Sequence, residues 1–237
     1  MHIHERGGFL QTVFIGCRTI EDEINAVVRV LPTCSSIFWI ESGLHNYPLK
    51  LKDRIQEEID KITETVSNVE NIVLLFGYCG NCIDGLCSPK AQLVVPKVED
   101  CISLLIGGDQ SRLDLSSKTH AYYLTEGWLR YENNIYYEYD QCIKKYGPVK
   151  AKRIFNVMLK NYSALNFIDT GTYDIKKTMD ITADLAQSLN LEQKTVPGTL
   201  CLIAKALNGE WDEGFLKVPA GVAVKLNNFE LKCPNQF

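Results

Sequence analysis

The residues of this chain best suited to chemistry are its nine cysteines, and three of them recur at one kind of place. Cys17 follows a short β-branched and aromatic run at 12–15. Cys79 follows a continuous apolar run at 71–76, and Cys101 lies just past a fourth such run at 92–95. A cysteine kept only as a small hydrophobe has no reason to prefer the ends of strands. Soft thiolates suit zinc and iron–sulfur clusters, and a helix starting at each thiol would lower its pKa and favour the ligating anion. His45, in a loop after Gly43, would complete a Cys3His tetrahedron. The expected metal ligands are therefore Cys17, His45, Cys79 and Cys101. Asp100 and Glu126, also just past strands, are the candidate catalytic acids, orienting ligands or carrying protons. Thr125, Trp128 and Asp169 are the candidate cofactor-binding residues.

Each of these residues also has an ordinary reading. A single cysteine is as readily a buried, unliganded side chain, a lone loop histidine is commonly solvated, and aromatic residues near a strand commonly belong to the core. The pair Cys79 and Cys82 forms a C-x-x-C motif, but Asp84, Gly85 and Pro89 break the helix that a thiol–disulfide motif needs. Cys87 reads as a loop thiol or an additional ligand, and Cys201 reads as core. Cys34, Cys142 and Cys233 remain unassigned. No phosphate-binding loop, dinucleotide glycine fingerprint, nucleophile elbow or H-E-x-x-H pattern occurs.

The elements that must position these groups read as strand–turn–helix units. Strands are expected at 12–15, 36–40, 71–76, 92–95, 120–124, 166–168 and 194–196. Helices are expected between them, capped by Thr19 in the first unit and by Asp174 in the sixth, and opened by Pro48 in the second. Such alternation argues an α/β fold, mainly parallel, with helices on both faces and room for two similar Rossmann-like halves. The polar stretch 108–118 lacks a core pattern. It suggests a division into 1–110, carrying most of the cysteine site, and 111–237. In open parallel sheets ligands bind beyond the carboxyl ends of the strands, where the cysteines lie.

A net charge of −4 and the absence of a Lys/Arg block argue against nucleic acid as a partner. The apolar runs are too short to span a bilayer, and residues 1–8 hold no apolar signal region. A cytoplasmic protein without a membrane partner is expected.

The stretches 40–45, 75–81, 95–102 and 123–128, which carry these candidate residues, together with 167–171 and 215–219, resemble the family catalogued as domain of unknown function 1638. The resemblance implies that Cys17, His45, Cys79, Asp100 and Cys101 match the family's pattern, and that Cys82 and Cys87 depart from it. It further implies an association with anaerobic corrinoid-dependent methyltransferase systems. A metal-thiolate protein follows as the leading expectation. It would hold zinc or an iron–sulfur cluster and act as an enzyme or accessory factor in corrinoid-linked one-carbon metabolism, with a corrinoid protein or methyltransferase as partner. The alternatives are a non-catalytic module that binds a corrinoid or a partner, and a metal-free cysteine-dependent enzyme.

Overall fold

The computed structural model describes residues 11–31, 36–117, 120–132 and 134–226. Cys34 and Cys233 lie outside them. Strands β1 (Gln11–Cys17), β2 (Ile37–Ile40), β3 (Val69–Leu75) and β4 (Gln92–Pro96) pair in parallel in the order β2-β1-β3-β4. The last strand, β8 (Phe215–Val218), closes this sheet antiparallel to β4. Ile72, Val73, Leu74 and Leu75 are fully buried, as befits a strand covered on both faces. Helix α1 (Glu21–Val28) packs on β1 and on α9 (Cys201–Asn208), whereas α2 (Pro48–Thr65) packs on β2 and β3. Right-handed crossovers require this: β1 to β2 runs one way along the sheet and β2 to β3 the other, so α1 and α2 take opposite faces. The order 2-1-3-4 thereby creates a topological switch point between β1 and β3, the place where open α/β sheets bind ligands.

A second sheet of three parallel strands, β5 (Ala121–Leu124), β6 (Ala164–Asp169) and β7 (Glu192–Pro197), follows. Its strands alternate faces with period two. Leu124, Leu165 and Phe167 pack with helices α6 (Ile135–Tyr146), α7 (Pro148–Met158) and α8 (Ile175–Leu189). Ala121, Tyr123, Ala164 and Ile168 join the core of the first sheet. The two sheets thus share buried surface. Helix α9 and strand β8, which a division at 110 assigns to the second half, pack on the first sheet.

Three consecutive acids in the first turn of α1 tie the second sheet to the first. Glu21 accepts a hydrogen bond from the Tyr131 hydroxyl at 3.1 Å, and Asp22 pairs with Arg130. Glu23 accepts from the Thr170 and Thr172 hydroxyls at 3.2 and 3.3 Å. Glu23 is 1% exposed, and burial pushes its carboxyl pKa up. Beside this clasp, Gly127 in helix α5 (Glu126–Arg130) lies so near Thr19 that a Cβ would strike the Thr19 carbonyl oxygen.

Several expectations are corrected. Residues 109–116, read as a polar junction, form helix α4 (Asp109–Ser116), whose Asp109 carboxylate accepts from the Glu99 amide. Thr19 does not cap α1; it lies in a 3-10 turn at Arg18–Ile20, and its hydroxyl bonds that of Ser42 at 2.8 Å. Cys201 is exposed, because α9 turns Ile203, Ala206 and Leu207 inward and leaves its first residue outside. Asp174 caps α8 as expected, accepting from the Lys177 amide at 3.0 Å.

Because the backbone of Thr19 has little room to retreat, Gly127→Ala should destabilise the protein by about 1–3 kcal/mol through overpacking. Urea denaturation compared with wild type checks this, and an unchanged midpoint would show that the two sheets can separate at no cost.

Candidate functional site

A cleft of about 780 Å³ opens between the carboxyl edge of the first sheet and strand β5 of the second. One wall carries Cys17, Glu41, His45, Cys79, Asn81, Asp100 and Cys101; the other carries His120, Tyr122, Tyr123, Trp128, Asn161 and Tyr162. Four of its residues come from successive places along the sheet edge. Cys17 ends β1, Glu41 follows β2, Cys79 follows β3, and Cys101 opens helix α3 (Cys101–Leu105) after β4.

The approach of Cys79 to Cys101 has a local cause. Past β3 the chain stays bonded to the segment after β4: the Tyr78 amide donates to Val98 O at 2.9 Å and the Cys79 amide to Glu99 O at 2.8 Å. Gly77 permits this, since a Cβ there would stand 2.6 Å from the Asp100 amide nitrogen. The chain then turns through three consecutive residues with positive φ, Cys79 at 43°, Gly80 at 71° and Asn81 at 68°. The Cys82 amide closes the turn on Tyr78 O at 3.0 Å. Two of the three are not glycine, and left-handed backbone costs an L-residue about 1–2 kcal/mol. Strain of this kind concentrates where a side chain must be held in place.

Two of the thiols flank the third. Cys101, 7% exposed, lies against both Cys17 and Cys79 and interacts with each through its side chain. Cys17 also donates to the Thr19 hydroxyl at 3.2 Å. The contact with Cys101 lowers the Cys17 pKa to about 7 against the opposing effect of burial, with Thr19 assisting. Contact with Cys17 and Cys79, and then burial, hold the Cys101 thiol well above its ordinary value. Cys101 is thus the proton-bearing member and Cys17 the readiest thiolate. Among the described residues, no group of three or more His, Cys, Asp or Glu side chains is arranged to hold a metal ion as it stands. The thiols are linked in pairs through Cys101.

The other expected residues divide. His45 lines the cleft from an exposed 3-10 turn at Leu44–Asn46; partial desolvation pushes its pKa down, opposed by Asp100. Asp100 caps α3, accepting from the Ser103 amide at 2.9 Å, and pairs with Arg112 of α4. Trp128 lines the second wall. Thr125, Glu126 and Asp169 do not line the cleft. Thr125 is fully buried and its hydroxyl has no hydrogen-bond partner among the described residues. Glu126 begins α5, and Asp169 is exposed and accepts from the Gly171 amide at 3.1 Å. Cys79 sits in the left-handed turn and not at a helix start. Cys82 is buried near Cys79 and Cys17, and burial drives its thiol pKa strongly upward. Arg112, Asn161 and Tyr162 were not singled out from the sequence. Arg112 fell in the supposed junction, and the other two lie in the connection between α7 and β6.

A family model matches residues 39–207, and its description is protein of unknown function, DUF1638. The chain belongs to this family. His45, Cys79, Asp100, Cys101 and Trp128 lie inside the matched span, and Cys17 precedes it. No curated protein and no solved structure matches the chain. No helix among the described residues is long and apolar enough to cross a membrane.

Removal of the Cys101 proton donor should return Cys17 to the ordinary thiol range. In metal-free protein, alkylation of Cys17 by iodoacetamide, followed by site-resolved mass spectrometry, should show a midpoint near pH 7. The Cys101→Ala midpoint should be higher by at least about one pH unit. Equal midpoints would remove Cys101 from that role.

Proposed function

We propose that the cleft is a thiolate site for a soft metal centre, a zinc ion or an iron–sulfur cluster, with Cys17, Cys79 and Cys101 as its protein ligands. The observation that supports this reading is the meeting of three thiols from the ends of three adjacent parallel strands, two of them flanking the switch point. Sulfur donors suit such metals better than any oxygen set in the cleft. His45, which also lines the cleft, would offer a nitrogen donor for a fourth position. A bound zinc would supply Lewis acidity, and a cluster would supply electron transfer or a substrate-binding iron. Cys101 must give up its proton to become a ligand, so uptake releases protons and weakens in acid. Asp100, held by the Ser103 amide and Arg112 and electrostatically felt by His45, would serve as the proton acceptor in this reading. The link to corrinoid-dependent one-carbon metabolism, as enzyme or accessory factor, rests on the family resemblance.

A second reading is favoured by one feature. Cys17, the half-buried one of the three cleft thiols, interacts with both Thr19 and Cys101, which suits a metal-free thiol nucleophile. A corrinoid-binding module would instead use Tyr122, Trp128 and Tyr162 and leave the thiols aside.

Metal content decides among these readings. Protein made and purified without oxygen should contain stoichiometric zinc or iron by elemental analysis. Cys79→Ser and Cys101→Ser should each lose most of it, because a hydroxyl of similar size is a hard, poorly ionised donor. Cys201→Ser, at an exposed position, should retain it. Full occupancy in both site variants, or a metal-free wild type, would sink the metal reading.

A further inference from the structure

The overall charge conceals a strong segregation. Residues 141–168 contain six of the chain's 25 Lys and Arg and none of its 29 Asp and Glu, leaving 19 cations against 29 acids elsewhere. The expectation that no basic block exists therefore fails on this surface. The six are Lys144, Lys145, Lys150, Lys152, Arg153 and Lys160, all exposed, on and just after the consecutive helices α6 and α7. Lys144 pairs with Asp140 of its own helix. Among the described residues the other five make no ion pair, and Lys145 and Lys150 instead flank the Tyr146 ring at 5.1 and 4.7 Å.

Apolar side chains stand among these cations without cover. Val149 is 84% exposed, Val157 68% and Met158 58%. Where α6 turns into α7, Tyr146, Gly147, Pro148, Val149, Lys150 and Arg153 surround a depression of about 450 Å³. From this apex the basic face runs along α7 toward Asn161 and Tyr162, which line the cleft. Eleven helical residues at 1.5 Å each make that path about 16 Å long.

We infer that the α6–α7 face is a docking surface for an acidic segment of a partner protein that carries aliphatic side chains among its carboxylates. Charge complementarity selects an acidic partner. The uncovered Val149, Val157 and Met158 select one that brings apolar groups, since such residues gain only when water leaves both sides. A nucleic acid would offer phosphates to the cations but nothing to the aliphatic residues, and its charge would extend past this face onto a surface of opposite preference. A bilayer contact of this kind commonly inserts Trp, Phe or Leu, and the apex offers Tyr146 and Val149. Docking here sets the partner beside the cleft mouth without occupying it. This inference is independent of the metal reading.

The test uses the full chain and a fluorescein-labelled synthetic peptide of interspersed glutamates and leucines, followed by anisotropy. The wild type should bind it, and binding should weaken as salt rises. Lys150→Glu with Arg153→Glu should weaken binding at least about tenfold, with an unchanged melting temperature because both positions are exposed. Val149→Ser should weaken it severalfold while keeping the salt dependence. An all-glutamate peptide of equal charge should bind less tightly. The inference is overturned if neither peptide binds, if the two peptides bind equally, or if the charge-reversal variant binds as wild type does. It is also overturned if a DNA oligonucleotide of equal charge, or vesicles containing phosphatidylglycerol, binds this face more tightly than the glutamate–leucine peptide.

Discussion

The cleft depends on one close approach of backbone to backbone. Beyond β3 and β4 the two chain segments remain hydrogen-bonded through Tyr78 and Cys79 to Val98 and Glu99, where most parallel strands would diverge into separate loops. Only glycine at position 77 leaves room for this contact. Its consequence is chemical. Cys79 arrives in a left-handed turn beside the first residue of α3, and Cys17 reaches the same place from the neighbouring strand β1. Three thiols from residues up to 84 positions apart thereby share one small volume.

The second sheet completes the site without supplying thiols to it. Its edge strand and α5 bring an aromatic wall, while the acids of α1 hold it in place from behind through Arg130, Tyr131, Thr170 and Thr172. These contacts lie within a few residues of Cys17, so the clasp and the thiol site share one stretch of chain. The buried Glu23 carboxyl makes the clasp sensitive to its surroundings, since one of its oxygens has no hydrogen-bond partner among the described residues.

The parallel α/β architecture was legible because strand-ending turns and amphipathic helices leave separate periodic signals. The convergence of Cys17, Cys79 and Cys101 was legible for the same reason: parallel strands put their carboxyl ends on one edge. What failed was the assumption that strand ends of both sheets serve one cleft. Thr125, Glu126 and Asp169 follow strands of the second sheet but do not reach the cavity, a matter of how two sheets pack that no local pattern encodes. Helix α4 was missed because its residues are largely polar and none is buried. Its Arg112, paired with Asp100, was lost with it. Thr19 has the residue type and place of a helix cap, yet Ser42, 23 positions away, takes its hydroxyl. The left-handed turn gave only a partial signal, since Gly80 and Asn81 favour such backbone and Cys79 does not. Cys201 shows the converse error: a cysteine in an apolar helix is exposed because it occupies the first, outward-facing position.

We propose that a soft metal is held by these thiols. X-ray absorption at the zinc or iron edge, on protein prepared without oxygen, tests it most directly because it counts sulfur neighbours whatever the metal's role. A thiolate-bound metal would show at least three sulfur ligands at about 2.3 Å. A first shell made only of nitrogen and oxygen at about 2.0–2.2 Å, or a protein with no bound metal at all, would contradict it.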